Sequence, residues 1–173
     1  MMRSKQRGAA ATPPARLLRL HRHSLVSVLV TGGCEREREA MACAFHRASP
    51  LRDRTFMTLD CGRDEPTLRR ALQGWLLPAL AATNPNPLRD VEGGTLFLDR
   101  LEQLSKPAQQ QLLVLARHIR GGSETASNLP ARLAAGSAAP LRDDSPEGIA
   151  PELLDCLDKI RVEVGAVPRR GAA

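Results

Sequence analysis

Aromatic side chains are almost missing from this chain, which has no Tyr, one Trp and three Phe, 2% of its residues. Apolar residues still make up 42% of the sequence, so it reads as globular, with Leu, Val and Ala left to fill the core. A buried Leu or Val contributes roughly 1.5–3 kcal/mol and an alanine less, which predicts a modestly stable domain. Paired cysteines are missing too. Cys34, Cys43, Cys61 and Cys156 are scattered without a C-x-x-C pair, and among the histidines only His21 and His23 lie close together. The pattern argues against a zinc site and a disulfide framework and suits a reducing, cytoplasmic setting. No metal site is expected. Nor is there a long apolar run. Leu25 to Val30 is too short for a signal sequence or a membrane span, so no membrane association is expected.

The last absence is local. Residues 1–23 contain no acid, while Arg3, Lys5, Arg7, Arg16, Arg19 and Arg22 lie there. The other 19 basic residues equal the 19 acids, so the net charge of +6 belongs to this segment and not to the rest of the chain. It reads as a solvated, disordered arm, one that can touch nucleic acid or acidic lipid by charge alone. Its composition also matches a mitochondrial transit peptide. The 173 residues then divide into an arm (1–23), one domain (24–170) and a tail (171–173).

Within that domain apolar strands alternate with helical spacing. Ser24–Thr31, Thr55–Asp60, Thr95–Asp99, Ala131–Ala135 and Ile160–Val164 read as strands. Glu35–Ala48, with Met41, Ala44, Phe45 and Ala48 on one stripe, reads as a helix, as do Glu65–Ala82, Pro107–Ile119 behind a Ser105 cap, and Pro151–Asp158. Pro78 should shorten the second helix, and Asn84-Pro85-Asn86-Pro87 should be irregular. The order implies an α/β fold, a three-layer αβα sandwich around a mostly parallel sheet, with Val26–Val30, Leu96–Leu98 and Ile160–Val164 inside it.

Two segments carry chemistry. Glu92–Leu104 (EGGTLFLDRLEQL) resembles the second nucleotide motif of an ATPase. The segment after the first strand sits where a phosphate-binding loop belongs. Such a loop needs G-x-x-x-x-G-K-[ST], since glycines let N–H groups close around phosphates while the lysine neutralises them. Counting from Gly32, the second glycine has become Glu37, the lysine Arg38 and the hydroxyl residue Glu39, with Gly33 to Arg36 between. Glutamate at a positive-φ position is disfavoured, and E-R-E-R-E is a good helix former, so the loop should have become an early first turn of the helix. A carboxylate about 4 Å from a phosphate charge would cost up to roughly 4 kcal/mol.

Taken in order, these segments resemble the AAA+ ATPase domain of bacterial sigma-54-dependent transcription activators, over about Val26 to Arg170. The likeness rests on Gly32–Glu39 against G-E-S-G-x-G-K-E, on Ala44-Phe45-His46-Arg47-Ala48-Ser49, and on Phe56 to Cys61. It continues with Gly93–Arg100 against G-G-T-L-F-L-D-E, the glutamine- and leucine-rich Pro107–Ala116, and Arg161–Val164 with Val167–Arg170. The resemblance implies a P-loop NTPase-like sandwich. It makes Gly32, Gly33, Arg38 and Asp99 a vestigial nucleotide site, with ATP and magnesium as cofactors only if that site still binds.

The departures fall on the family's chemistry. The catalytic glutamate is Arg100, which cannot accept a proton. The sensor asparagine falls near Ala138, and the trans-acting arginines on Ala150 and Cys156. Gly74–Asp90 replaces the sigma-contacting loop, and the chain is expected to stop before the helical lid. Taken singly, Arg38 is expected as a surface helix charge, Asp99 as a capping or loop carboxylate, His46 as a solvated residue and Trp75 as core. Trp75-Leu76-Leu77 could otherwise be a partner-binding patch. No catalytic residue is assigned. Three readings follow: a degenerate, ATPase-inactive domain regulating transcription through an intact activator or sigma-54 polymerase, a domain that still binds ATP, or a nucleic-acid-binding module using the basic arm. A decayed remnant is the fourth.

Overall fold

Five short apolar segments become five parallel strands in a computed structural model that describes residues 13–77, 86–122, 128–139 and 148–165. They are β1 (Val28–Gly32), β2 (Phe56–Asp60), β3 (Thr95–Asp99), β4 (Arg132–Ser137) and β5 (Ile160–Val164), in the sheet order β2-β3-β4-β1-β5. Every pairing is parallel, with Val28 flanked by Ala134 and Ile160, and Leu96 by Met57 and Leu133. Parallel neighbours need crossovers, and α1 (Pro14–Leu20), α2 (Glu35–Arg47), α3 (Glu65–Leu76), α4 (Pro87–Asp90), α5 (Lys106–Arg120) and α6 (Pro151–Leu157) cover the two faces.

Alternation along each strand builds two cores. Leu29, Leu96, Leu98, Leu133 and Ala135 point to the side covered by α3, α4, α5 and α6. Val28, Val30, Phe97, Ala134, Ile160 and Val162 point to the other side, against Ala42 and Phe45 of α2 and the partly buried Leu17 and Leu18 of α1. The expected αβα sandwich is therefore present, with β3 inside the sheet. β5 differs: it is an edge strand, and its alternation of buried Ile160 and Val162 with exposed Arg161 and Glu163 is the signature of one covered face.

Other differences have local causes. The first strand starts at Val28 and not Ser24, and the helix from Glu65 ends at Leu76, just before Pro78. Pro87, expected to be irregular, opens α4, because proline suits a first helical position and the Asn86 side chain accepts the Leu88 N–H at 3.0 Å. Ser105 caps α5 as expected, accepting from the Ala108 N–H. The arm is corrected in part: Pro14–Leu20 is helical, because Leu17 and Leu18 find apolar partners on the α2 side of the sheet. Residues 1–12, 78–85, 166–170 (with Val167–Arg170 of the family likeness) and the tail lie outside the described residues.

One buried cation organises the base of the sheet. Arg132, 1% exposed, donates to the Phe45 carbonyl at the end of α2 and to the Ser24 carbonyl ahead of β1. Burial lowers its pKa, and its Nε has no hydrogen-bond partner among the described residues.

Candidate functional site

In a parallel sheet the carboxyl ends of the strands, with the loops that follow, form the crevice where ligands bind. Here those ends bring together Gly32, the last residue of β1, with Gly33 after it, Asp60 at the end of β2, and Asp99 at the end of β3 with Arg100 after it. α2 begins at Glu35 with Cys34 as its N-cap, so the loop is indeed shortened into an early helical turn. Gly32 and Gly33 keep left-handed backbone, with φ of 76° and 57°. A side chain at Gly33 would meet the Glu37 carboxylate and Val164 within 3 Å, so glycine is required there for space as well as for φ.

The Glu37 carboxylate folds back to accept the Cys34 N–H at 2.7 Å. That hydrogen bond holds the Glu37 pKa below the ordinary range. One N–H at the start of α2 is thus satisfied by the chain's own anion, in the manner of a capping box.

Arg38 is neither on the surface nor free. It is 3% exposed, and its Nε and Nη2 donate to the two carboxylate oxygens of Asp99 at 2.7 and 2.9 Å. Its Nη1 donates to the carbonyls of Gly32 and Gly33 at 3.1 and 2.9 Å. The loop after β1 therefore turns two carbonyl oxygens towards a cation. The hydrogen bond to Asp99 raises the Arg38 pKa further, which fixes its charge. Asp99 itself is fully buried, a bidentate ion-pair partner and not a capping or loop carboxylate. It fits because β4 carries Gly136 beside it: a Cβ there would fall 2.2 Å from an Asp99 oxygen.

Arg100 makes a second pair. Held at φ 54°, it donates from Nε to Asp60 Oδ2 at 2.9 Å and from Nη2 to Asp60 Oδ1. Asp60 also accepts the N–H groups of Gly62 and Arg63 at 2.9 and 3.0 Å. Burial alone would raise the Asp60 pKa, but Arg100 and these N–H groups together bring it below the usual value. Two arginine–aspartate pairs thus stand side by side at this end of the sheet.

Around them, Ala138 donates its N–H to Glu102, and Ala150 is the N-cap of α6 with its N–H on Gln109 Oε1 at 2.7 Å. Cys156 is buried in the core, so this second position expected for a trans-acting arginine faces inward. Cys61, just past β2, has a thiol that burial and nearby carboxylates push far up, so it is inert. His46 is corrected: it is 3% exposed, not solvated. Since a carbonyl can only accept, Nε2 donates to the Arg54 carbonyl at 3.0 Å, which leaves Nδ1 to accept from Thr95 Oγ1 at 2.9 Å. Trp75 is partly buried against the core and edge-on to His118 at 5.3 Å, while Leu76 and Leu77 are exposed. Asp60, Gly136 and Gln109 are the residues that the sequence did not single out. Each acts through a partner about 40 residues away in the chain.

The strand order and the residues at the carboxyl ends define the class: a P-loop NTPase fold of the AAA+ type. The chain belongs to the sigma-54 interaction domain family, which it matches over residues 7–162. The transcriptional regulatory protein GlrR of Escherichia coli K12 is 38% identical over 99 residues, covering 55% of this chain and 22% of GlrR. The chain thus spans about a fifth of the length of the curated relatives it matches. Among solved structures, NtrX from Brucella abortus in complex with ATP has a TM-score of 0.65 at 19% identity, covering 90% of this chain and 38% of NtrX. The P-loop NTPase domain of a sigma-54 activator from E. coli has a TM-score of 0.59 at 18% identity, covering 86% and 89%. No helix among the described residues is long and apolar enough to cross a membrane.

Proposed function

We propose that this member of the family has lost nucleotide chemistry and acts in transcription control through protein contacts, with an intact sigma-54 activator or the sigma-54 polymerase as partner. The observation that carries the reading is the buried pair of Arg38 and Asp99. The cation at the phosphate position and the carboxylate at the magnesium position neutralise each other, so neither is available to a ligand. Magnesium takes carboxylate oxygens, and both Asp99 oxygens already accept from Arg38. A phosphate needs N–H groups turned inward, whereas Gly32 and Gly33 direct their carbonyls at the guanidinium. At the water-activating position, Arg100 offers no base. The residues therefore do not fit magnesium-ATP.

Residues that act as a unit in catalysis are not rescued singly. The chain should therefore fail to open promoters alone, and it should act stoichiometrically by joining or capping assemblies of intact subunits. Reconstituted open-complex formation tests this. With this protein as sole activator no ATP-dependent open complexes should form, and added to an intact activator it should inhibit in proportion to its dose. Open complexes above background would overturn the reading.

A further inference from the structure

Part of the segment that carries the whole net charge, from Pro14 to Arg22, is a structured corner. Within α1, Arg16 and Arg19 are exposed and one turn apart, about 4.5 Å along the axis, and Arg22 follows just past the helix end, also exposed. Arg132 holds the Ser24 and Phe45 carbonyls together, which brings the end of α1 to the end of α2, where Arg47 is exposed. None of these four surface arginines has a side-chain hydrogen bond or an ion pair among the described residues. At the same end of the sheet Asp53 and Asp158 pair with Arg52 and Arg161, and Asp155 with Arg120 and Lys159, while Asp90 and Glu92, ahead of β3, make no ion pair among the described residues. Beneath the corner Arg132 adds a buried positive charge that no carboxylate offsets.

We propose that Arg16, Arg19, Arg22 and Arg47 form a docking surface for the phosphate backbone of duplex nucleic acid, bound without regard to sequence. Charge complementarity identifies the occupant. Arginines without internal partners, spaced at a helical turn, can each neutralise a separate phosphate and release its counterion. An acidic membrane surface fits less well. A helix lying on lipid needs a continuous apolar face, but Leu17 and Leu18 are turned onto the core, leaving Leu20 as the exposed leucine of α1. Leu25 and Val26, also exposed, line a cavity of about 500 Å³ on the α5 side of the sheet, together with Ile119 and Leu133. The corner lies at the opposite end of the strands from Arg38 and Asp99. Docking at this corner is thus independent of whether nucleotide binds.

The test is fluorescence anisotropy of the full chain with a labelled mixed-sequence duplex of about 20 base pairs, titrated across salt concentrations. The wild-type chain should bind at low salt, with affinity falling linearly on logarithmic axes. R16Q/R19Q/R22Q should weaken binding by about 10-fold or more and reduce the salt slope by two to three, and R47Q should reduce the slope by about one. The charge-matched variant R3Q/K5Q/R7Q removes as many cations from the stretch of sequence ahead of α1 and should lose clearly less. Circular dichroism checks that each variant is folded, which is expected of the corner variants because Arg16, Arg19, Arg22 and Arg47 make no side-chain hydrogen bond or ion pair among the described residues. Equal losses in the two triple variants would reduce the effect to net charge and overturn the surface. No binding at low salt, or tighter binding to phosphatidylserine vesicles than to the duplex at equal salt, would overturn the nucleic-acid assignment.

Discussion

At the scale of residues, the chemistry of this domain turns on where two arginines point. A buried bidentate pair is costly to break, because the partner left behind keeps its charge in a poorly solvated place. Removing Asp99 should therefore destabilise the fold by about 3–5 kcal/mol, through an unpaired Arg38. Replacing both residues by apolar ones, as R38M/D99L, should recover most of that loss. Urea unfolding of the single and double variants reads the coupling directly. If D99A cost less than about 1 kcal/mol, the pair would be a surface-like contact and not a structural element. Sequence identified Arg38 and Asp99 as occupants of two motif positions but could not join them. They are 61 residues apart, and only the pairing of β3 with β4 and β4 with β1 sets their distance. The same holds for Gly136, which in sequence is one small residue in an alanine-rich stretch and in space is the gap that admits a carboxylate.

Among elements, His46 fastens the end of α2 to the start of β3 and to the loop before β2, through Thr95 and the Arg54 carbonyl. Burial lowers its pKa from the ordinary value of 6.5, and the charges of Arg132 and Arg47 act in the same direction. No carboxylate is among the causes that shift it. The folded protein thus holds the ring neutral while the unfolded chain takes up its proton near pH 6.5. The contribution of His46 is therefore complete above pH 6.5 and is lost as pH falls through the lower folded pKa. Chemical denaturation between pH 7.5 and 5 should show stability declining, with the decline reduced in H46N. Glu37, Asp60 and Glu65 do not confuse that window, because each has a pKa below its ordinary carboxylate value. An H46N profile as steep as the wild type would remove His46 from the account. Most elements were legible because their periodicity is strong, as in the Leu112 and Leu115 stripe of α5 or the apolar run of β3. α1 was not, since seven residues with arginines between leucines resemble a charged arm until the apolar cluster on the α2 side of the sheet is there to receive Leu17 and Leu18.

For the molecule as a whole, the parallel sheet and its two cores follow from buried strands alternating with helices, and motif order was enough to indicate the family. Family order says where a nucleotide would sit. It does not say whether the residues there still receive one, which depends on side chains meeting across β1, β2 and β3 at one end of the sheet. That end is closed by Arg38 on Asp99 and Arg100 on Asp60, with Glu37 on the first turn of α2. The direct measurement is isothermal titration calorimetry of magnesium-ATP into the full chain. A filled site predicts no saturable heat, or a dissociation constant of about 1 mM or weaker, which corresponds to no more than about 4 kcal/mol of binding. A stoichiometric dissociation constant in the low micromolar range would mean that ATP displaces these pairs, and it would contradict the claim that the domain has lost its nucleotide.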